Sequence, residues 1–375
     1  MPRYIASFLL FSTFVFANPF LDRFLVFGTF HIQKDSEYSY TISDYYFLSS
    51  GLLIMKKFAL PSYYLTGRVS GFVKSSENIN NSSSSLSGFK ELYIRTKLVG
   101  YDVSIGKEII DLSTSKIFTL NDFLSPQISI LNPFDRSLNA LGVEGFSIGI
   151  PIESIASSAT VYLYKNNLLL SNDQDNFVYL GHLKHIEEAL IGDIFAGRDK
   201  ANKLFLSTAA SFYIDTQTNM YFEIKKQSHW EYVAGIDYSL PGRFSLAFER
   251  ISKQGEKLNN VFSNTLIASR ENNASDAVIL DKIVVRPDVA NGTLLQGEYF
   301  GLFARFPLQD NLQCSALFQY NMSDSSYKLS LQTESKVGNL RGYVEYIHAS
   351  GSPTMSAYGL ESKHSVILNI SFDVI

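Results

Sequence analysis

Residues Phe89 to Ile110 read FKELYIRTKLVGYDVSIGKEII, and the alternation inside this stretch decides the fold. Successive side chains on a strand point to opposite faces. Leu92, Ile94, Thr96 and Leu98 therefore share one face, and Glu91, Tyr93, Arg95 and Lys97 the other. After a tight corner at Val99-Gly100, Val103, Ile105 and Ile109 alternate with Asp102, Ser104 and Glu108. The stretch is a β-hairpin with one apolar and one charged face. In a soluble sandwich the charged face would meet water and the apolar face a protein core. In a membrane barrel the apolar face meets lipid and the charged face lines a lumen.

The rest of the chain favours the barrel. Arms of the same kind follow one another at about 24–32, 49–58, 64–74, 88–98, 101–109, 141–150, 158–165, 177–185, 189–196, 203–214, 219–227, 230–239, 243–252, 296–306, 311–321, 326–335, 339–348 and 365–374. In the clearest of them Trp230, Tyr232, Ala234, Ile236 and Tyr238 put aromatics at both ends of one face, the girdle pattern of a lipid-facing strand. Short links at 99–100, 151–157, 186–188, 215–218, 240–242, 307–310 and 336–338 alternate with mostly longer ones at 33–48, 75–87, 110–140, 166–176, 197–202, 253–295 and 349–364, two of that second series, 228–229 and 322–325, being short. An up-and-down barrel with turns at one rim and loops at the other predicts this alternation, and a Greek-key sandwich does not. The Asn- and Ser-rich run Glu77 to Ser87 reads as an outer loop, and 253–295 as a long outer loop carrying a β-like piece at 277–285.

Delivery and composition agree. Met1 to Ala17 has a basic Arg3, an apolar run and a small residue at its end, the pattern of a secretory signal peptide, so residues 18–375 are expected to form the barrel. An uncleaved anchor over Tyr4 to Leu21 is the alternative. Without Arg3, 31 basic residues face 36 acidic ones, a net charge of −5 with no basic cluster, which argues against nucleic acid as a partner. Cys314 stands alone, so no internal disulfide is expected, and its alternating neighbours mark it as a small apolar surface residue. The 29 Phe and 22 Tyr make the chain 14% aromatic together with its one Trp, yet mean hydropathy is only +0.03. Barrels look like this because only alternate residues meet lipid.

The hairpin with Gly106-Lys107-Glu108, followed by Asn121-Asp122-Phe123-Leu124-Ser125-Pro126, resembles the strand-and-loop unit of alginate-export-like and related bacterial outer-membrane porins. In that unit a Gly-Arg-Gln-type strand end precedes an Asn-Pro-x-Asp…Ser-Pro loop. Lys-Glu replaces Arg-Gln here, no proline precedes Asp122, and the last residue is Ile375 rather than an aromatic. The resemblance implies that loop 110–140 folds inward as a constriction, with Phe118 and Leu120 among the residues packing on the wall and Asp122, Asp135 and Arg136 facing the pore. An ordinary outer loop is the alternative.

In a pore, chemistry means fixed charges in a confined passage. Glu91, Tyr93, Arg95, Lys97, Arg305, Arg341 and Glu345 are inward candidates, with Glu108 and Glu223 beside them; strict alternation puts Lys107 on the apolar side. The alternative for each is a solvated lumen residue that only fills space and pairs with neighbours, since most lumen charges of wide barrels are not constriction residues. The six histidines form no catalytic constellation, and His182 and His185 point to opposite faces, so no catalytic residue, metal site or cofactor is expected. The sequence thus predicts an all-β transmembrane antiparallel up-and-down β-barrel of 16–18 strands in a bacterial outer membrane. It would pass ions and small polar solutes passively, with lipid as its surroundings and homo-oligomerisation left open. The alternatives are a non-conducting barrel acting in surface interaction or assembly, and a rim-active barrel hydrolase.

Overall fold

The computed structural model describes residues 23–34, 44–60, 65–78, 83–110, 112–118, 120, 142–165, 177–198, 204–253, 297–351 and 364–373. The signal-peptide segment 1–17 lies outside them, as does nearly all of 253–295.

The strands are β1 (Arg23–Lys34), β2 (Asp44–Leu60), β3 (Leu65–Asn78), β4 (Ser83–Leu98), β5 (Tyr101–Glu108), β6 (Val143–Ile152), β7 (Ser157–Lys165), β8 (Phe177–Ile186) and β9 (Leu190–Arg198). They continue as β10 (Leu204–Tyr213), β11 (Thr218–Lys226), β12 (Trp230–Leu240), β13 (Phe244–Lys253), β14 (Gly297–Gln309), β15 (Leu312–Asn321), β16 (Tyr327–Val337), β17 (Leu340–Ser350) and β18 (His364–Asp373). Each pairs antiparallel with its sequence neighbours, and β1 pairs with both β2 and β18, so one 18-stranded sheet closes on itself. Closure removes both sheet edges, which leaves every strand paired on two sides. Among the described residues no helix is long and apolar enough to cross a membrane; the strands do the crossing.

The period-2 pattern is inside out relative to a soluble protein. Leu92, Ile94 and Leu98 are 44%, 44% and 55% exposed, while Glu91 is 4% exposed. Leu183, Ile194, Leu206, Phe248, Leu302, Val344 and Ile370 are likewise exposed on the outward phase. Glu223, Glu249, Gln319 and Glu345 are buried on the inward phase. Such an arrangement is stable only when lipid covers the outside. Lys107 keeps the outward phase of β5, opposite Leu92 and Glu144, with no register shift there. Cys314 lies on the outward phase of β15, within 3.5 Å of the Thr333 hydroxyl.

Short links at 99–100, 153–156, 187–189, 214–217, 241–243, 310–311 and 338–339 gather at one rim, where β2 also ends and β3 begins. At the other rim lie the strand ends between which the chain passes from an odd to the following even strand, the longest such stretches in sequence being 109–142 and 254–296. At 99–100 the chain reverses through Val99 at φ 52° and Gly100 at φ 84°, the paired left-handed conformations of a two-residue hairpin turn.

One expectation is corrected. Glu77, Asn78 and Ser83–Ser87 are not a loop: β3 reaches Asn78 and β4 begins at Ser83, with Ser75 opposite Ser85 and Glu77 opposite Ser83. Cross-strand backbone pairing overrides a composition that reads as coil. β2 also starts earlier than the alternation suggests, at Asp44.

Candidate functional site

On β11 and β13 the outward phase is taken by Met220, Phe222, Ile224, Leu246 and Phe248, which turns Glu223 and Glu249 into the lumen. Both are 0% exposed. A buried carboxylate is tolerable only if its oxygens are paired. Here the partners are backbone amides of the segment that follows β5.

Glu223 Oε1 accepts from Ser113 Oγ (2.6 Å), Thr114 N (2.6 Å), Thr114 Oγ1 (3.1 Å) and Ser115 N (2.9 Å), and its Oε2 from Leu120 N (3.2 Å). Glu249 Oε1 accepts from Lys116 N, Ile117 N (2.8 Å) and Tyr221 Oη (2.6 Å), and its Oε2 from Phe118 N (2.6 Å). Successive N–H groups thus converge on two anions, as in a backbone nest. Charge-assisted bonds of this kind are about twice as strong as neutral ones.

Two glycines make the seat. Tyr221, Gly235, Glu249 and Gly301 are directly opposite one another across β11 to β14. A Cβ on Gly235 would fall 2.6 Å from a Tyr221 ring carbon and 2.8 Å from Glu249 Cγ. A Cβ on Gly301 would fall 2.8 Å from Ile117 Cγ2 and 3.0 Å from Phe118 Cε2. Ile117, Phe118 and Leu120 then pack with Val233, Ala247, Ile251, Tyr299 and Ala349 on the inner wall. Nearer β5, Ile110 and Leu112 join Tyr164, Phe195 and Phe205. In a ring of 18, β5 and β14 are opposite each other, so the described residues 110, 112–118 and 120 reach from one side of the barrel to the other through its interior.

The residues singled out from the sequence fall into two inner-wall groups. On β4, Glu91 is bonded by Arg68 Nη1 (2.8 and 3.1 Å), and Arg95 pairs with Glu108, which also accepts from Ser104 Oγ (2.6 Å). The Arg95 guanidinium lies 5.8 Å over the Tyr93 ring, and Lys97 is 3.8 Å from Asp102. On the far wall Arg305 lies 5.4 Å over Phe303, Arg341 Nε pairs with Glu334 (2.8 Å), and Glu345 accepts from Ser330 Oγ. Asp122, Asp135 and Arg136 lie outside the described residues.

Sequence reasoning named Glu223 but missed Glu249, whose inward phase between Ala247 and Ile251 was the available signal. It also missed the His182–Asp193 pair. His182 Nε2 is 2.7 Å from Asp193 Oδ1, and its ring stacks 4.6 Å from Phe195 on the inner wall. Among the described residues no group of three or more His, Cys, Asp or Glu side chains could hold a metal ion.

No protein-family profile matches the chain, and no curated protein matches it. Solved structures do. Wzi of Escherichia coli, described as an outer membrane protein involved in group 1 capsule assembly and a carbohydrate-binding β-barrel, aligns at TM-score 0.58 and 9% identity over 94% of this chain and 84% of its own. OpdQ of Pseudomonas aeruginosa aligns at TM-score 0.58 and 8% identity over 94% and 97%. The outer membrane protein OprD of the same organism aligns at 0.58 and 9% over 94% and 92%. The chain has the fold of bacterial outer-membrane β-barrels. At these identities the likeness is one of architecture, and the outer-membrane barrel's function has to be argued from its own side chains.

Proposed function

We propose that this outer-membrane barrel is a channel for passive diffusion of ions and small polar solutes, with no catalytic step. The observation that carries the reading is the 112–120 segment, drawn through the interior and fastened to Glu223 and Glu249 on the wall beyond. A segment held there narrows the lumen at a fixed place, and the charged pairs of β4–β5 and β14–β17 then bias which solutes pass. The finer resemblance to alginate-export-like porins rests on 106–126, of which 111, 119 and 121–126 lie outside the described residues.

A second reading, a barrel without a through-pore that serves surface interaction or assembly, is favoured by the far wall. Gln319 is fully buried with neither amide atom hydrogen-bonded, and the Gln332 amide nitrogen is also unpartnered. Covered inward amides of this kind fit an interior occupied by chain and bound solute rather than by an open stream. Wzi, the carbohydrate-binding barrel of similar fold, offers a precedent for that type of use.

Recordings in planar bilayers separate the two. Stepwise current from the purified, refolded chain supports the channel; silent insertion of folded barrels removes it.

A further inference from the structure

Among the outward side chains described on β4–β17, Lys and Arg stand at one rim only. At the rim of the longer links, the outermost outward residue of β5 is Lys107, of β7 Lys165, of β9 Arg198 and of β11 Lys226. On β13 Arg250 lies one outward position from the end. Their register fixes the side: Lys165 is opposite Phe177, Arg198 opposite Leu204, Lys226 opposite Trp230 and Arg250 opposite Phe300. Phe177, Leu204 and Trp230 are 46%, 69% and 59% exposed on the outer surface. The Lys226 ammonium sits 5.1 Å over the Trp230 ring, and Arg250 pairs with Glu298 at 2.6 Å. At the other rim Leu98, Ile150, Phe212, Leu308 and Val337 hold the corresponding outward positions, β8 places His185 there beside Glu187 at 3.3 Å, and none of the described outward residues of β4–β17 at that rim is Lys or Arg.

We propose that the long-link rim of β5–β13 is a docking surface for lipids carrying more than one phosphate on a single headgroup. Among the described strand residues five cations share this face with two outward acids, Glu144 and Glu298. They recur on alternate strands, so neighbours are roughly 10 Å apart, within the reach of one multiply charged headgroup. Each is partnered across its hairpin by a ring, a large apolar side chain or an acid that sits at the same depth. A lipid can then lay its chains on Phe177, Leu204 and Trp230 while its phosphates meet the cations above. The other rim presents no Lys or Arg among its described outward residues on β4–β17, so the two leaflets are read differently.

The test uses the full chain folded in dodecylmaltoside and titrated with diphosphoryl lipid A or with phosphatidylcholine, retained lipid being read by native mass spectrometry. The wild-type barrel retains lipid A in preference to phosphatidylcholine, and the preference falls as salt is raised. The triple variant Lys165→Gln/Arg198→Gln/Lys226→Gln folds and loses lipid A affinity by about a hundredfold at low ionic strength. Lys97→Gln, an inward change, leaves retention as in the wild type. Equal retention of both lipids, or equal lipid A retention by wild type and triple variant, overturns the proposal. Bilayer conductance of the triple variant is expected to match the wild type, so failure here and failure of the channel reading are told apart.

Discussion

Glu249→Gln tests the latch with the smallest change in shape. The carboxylate accepts from Lys116 N, Ile117 N and Tyr221 Oη on one oxygen and from Phe118 N on the other. A carboxamide has one acceptor oxygen, so its best orientation keeps the first three as neutral bonds and turns an NH2 toward the Phe118 N–H. One charge-assisted bond is lost at about 1.5–3 kcal/mol, and three weaken, for a local cost of about 3–5 kcal/mol. That shifts docking of the segment by about two to four powers of ten. The 18-strand ladder is untouched, and a buried charge is removed, so the barrel itself should remain folded. The assay is single-channel recording beside a gel-shift check that the heat-modifiable barrel is intact. Conductance should rise or flicker between levels, and adding Glu223→Gln should increase the effect. A folded Glu249→Gln barrel with wild-type conductance and wild-type open-channel noise would show that this carboxylate does not hold a constriction.

Further expectations follow from the faces and the seat. Ile94→Arg places a cation on the lipid side of β4 and should destabilise the barrel by about 2–4 kcal/mol near the midplane, measured by urea unfolding in lipid. Arg95→Ala should fold and change ion selectivity, read as a shifted reversal potential, because it removes the partner of Glu108; equal assembly of both variants would mean the faces are misassigned. Gly301→Leu should unseat Ile117 and Phe118 and reproduce the noise of Glu249→Gln, since a Cβ there already meets Ile117 at 2.8 Å. In the 214–217 turn, hydrogen bonds from Gln217 N and Thr218 N hold the Asp215 carboxyl below its ordinary range. A depressed folded value means that the turn's stabilisation is present above the unfolded value and is lost as pH falls through the folded one; faster amide exchange at Gln217 and Thr218 on acidification checks it.

The fold was largely legible because its signal is local. The alternation in 89–110 specifies which side of β4 and β5 meets lipid without knowledge of any partner, and the 18 arms read from the sequence correspond to the 18 strands. The serines at 83–87 misled because their strand conformation comes from the opposing run at 73–77, a tertiary contact that composition does not carry. The site was less legible for the same reason. Glu223 and Glu249 look like any inward acid of a barrel, and only the folded chain brings amides more than a hundred residues away to their oxygens. His182 and Asp193 each follow the inward phase, but their pairing depends on the β8–β9 register.

The placement of aromatics and glycines around the wall follows from how far the segment after β5 must travel. An 18-strand ring with strands about 4.8 Å apart and tilted about 40° is roughly 36 Å across. From β5 to β11 is a third of the ring, roughly 38 Å along the wall but roughly 31 Å as a chord. Glu108 to Thr114 fully extended covers about 20 Å, and the Glu223 side chain with its hydrogen bond adds about 7 Å. That total is well short of the arc and close to the chord, so the segment cuts across the lumen. Midway, a chord of this length stands roughly 9 Å off the wall, a gap that backbone alone would leave open. Tyr164, Phe195 and Phe205 rise from β7, β9 and β10 to fill it against Ile110 and Leu112. Beyond β11 the chain has reached the wall and needs room instead, which is where Gly235 and Gly301 stand.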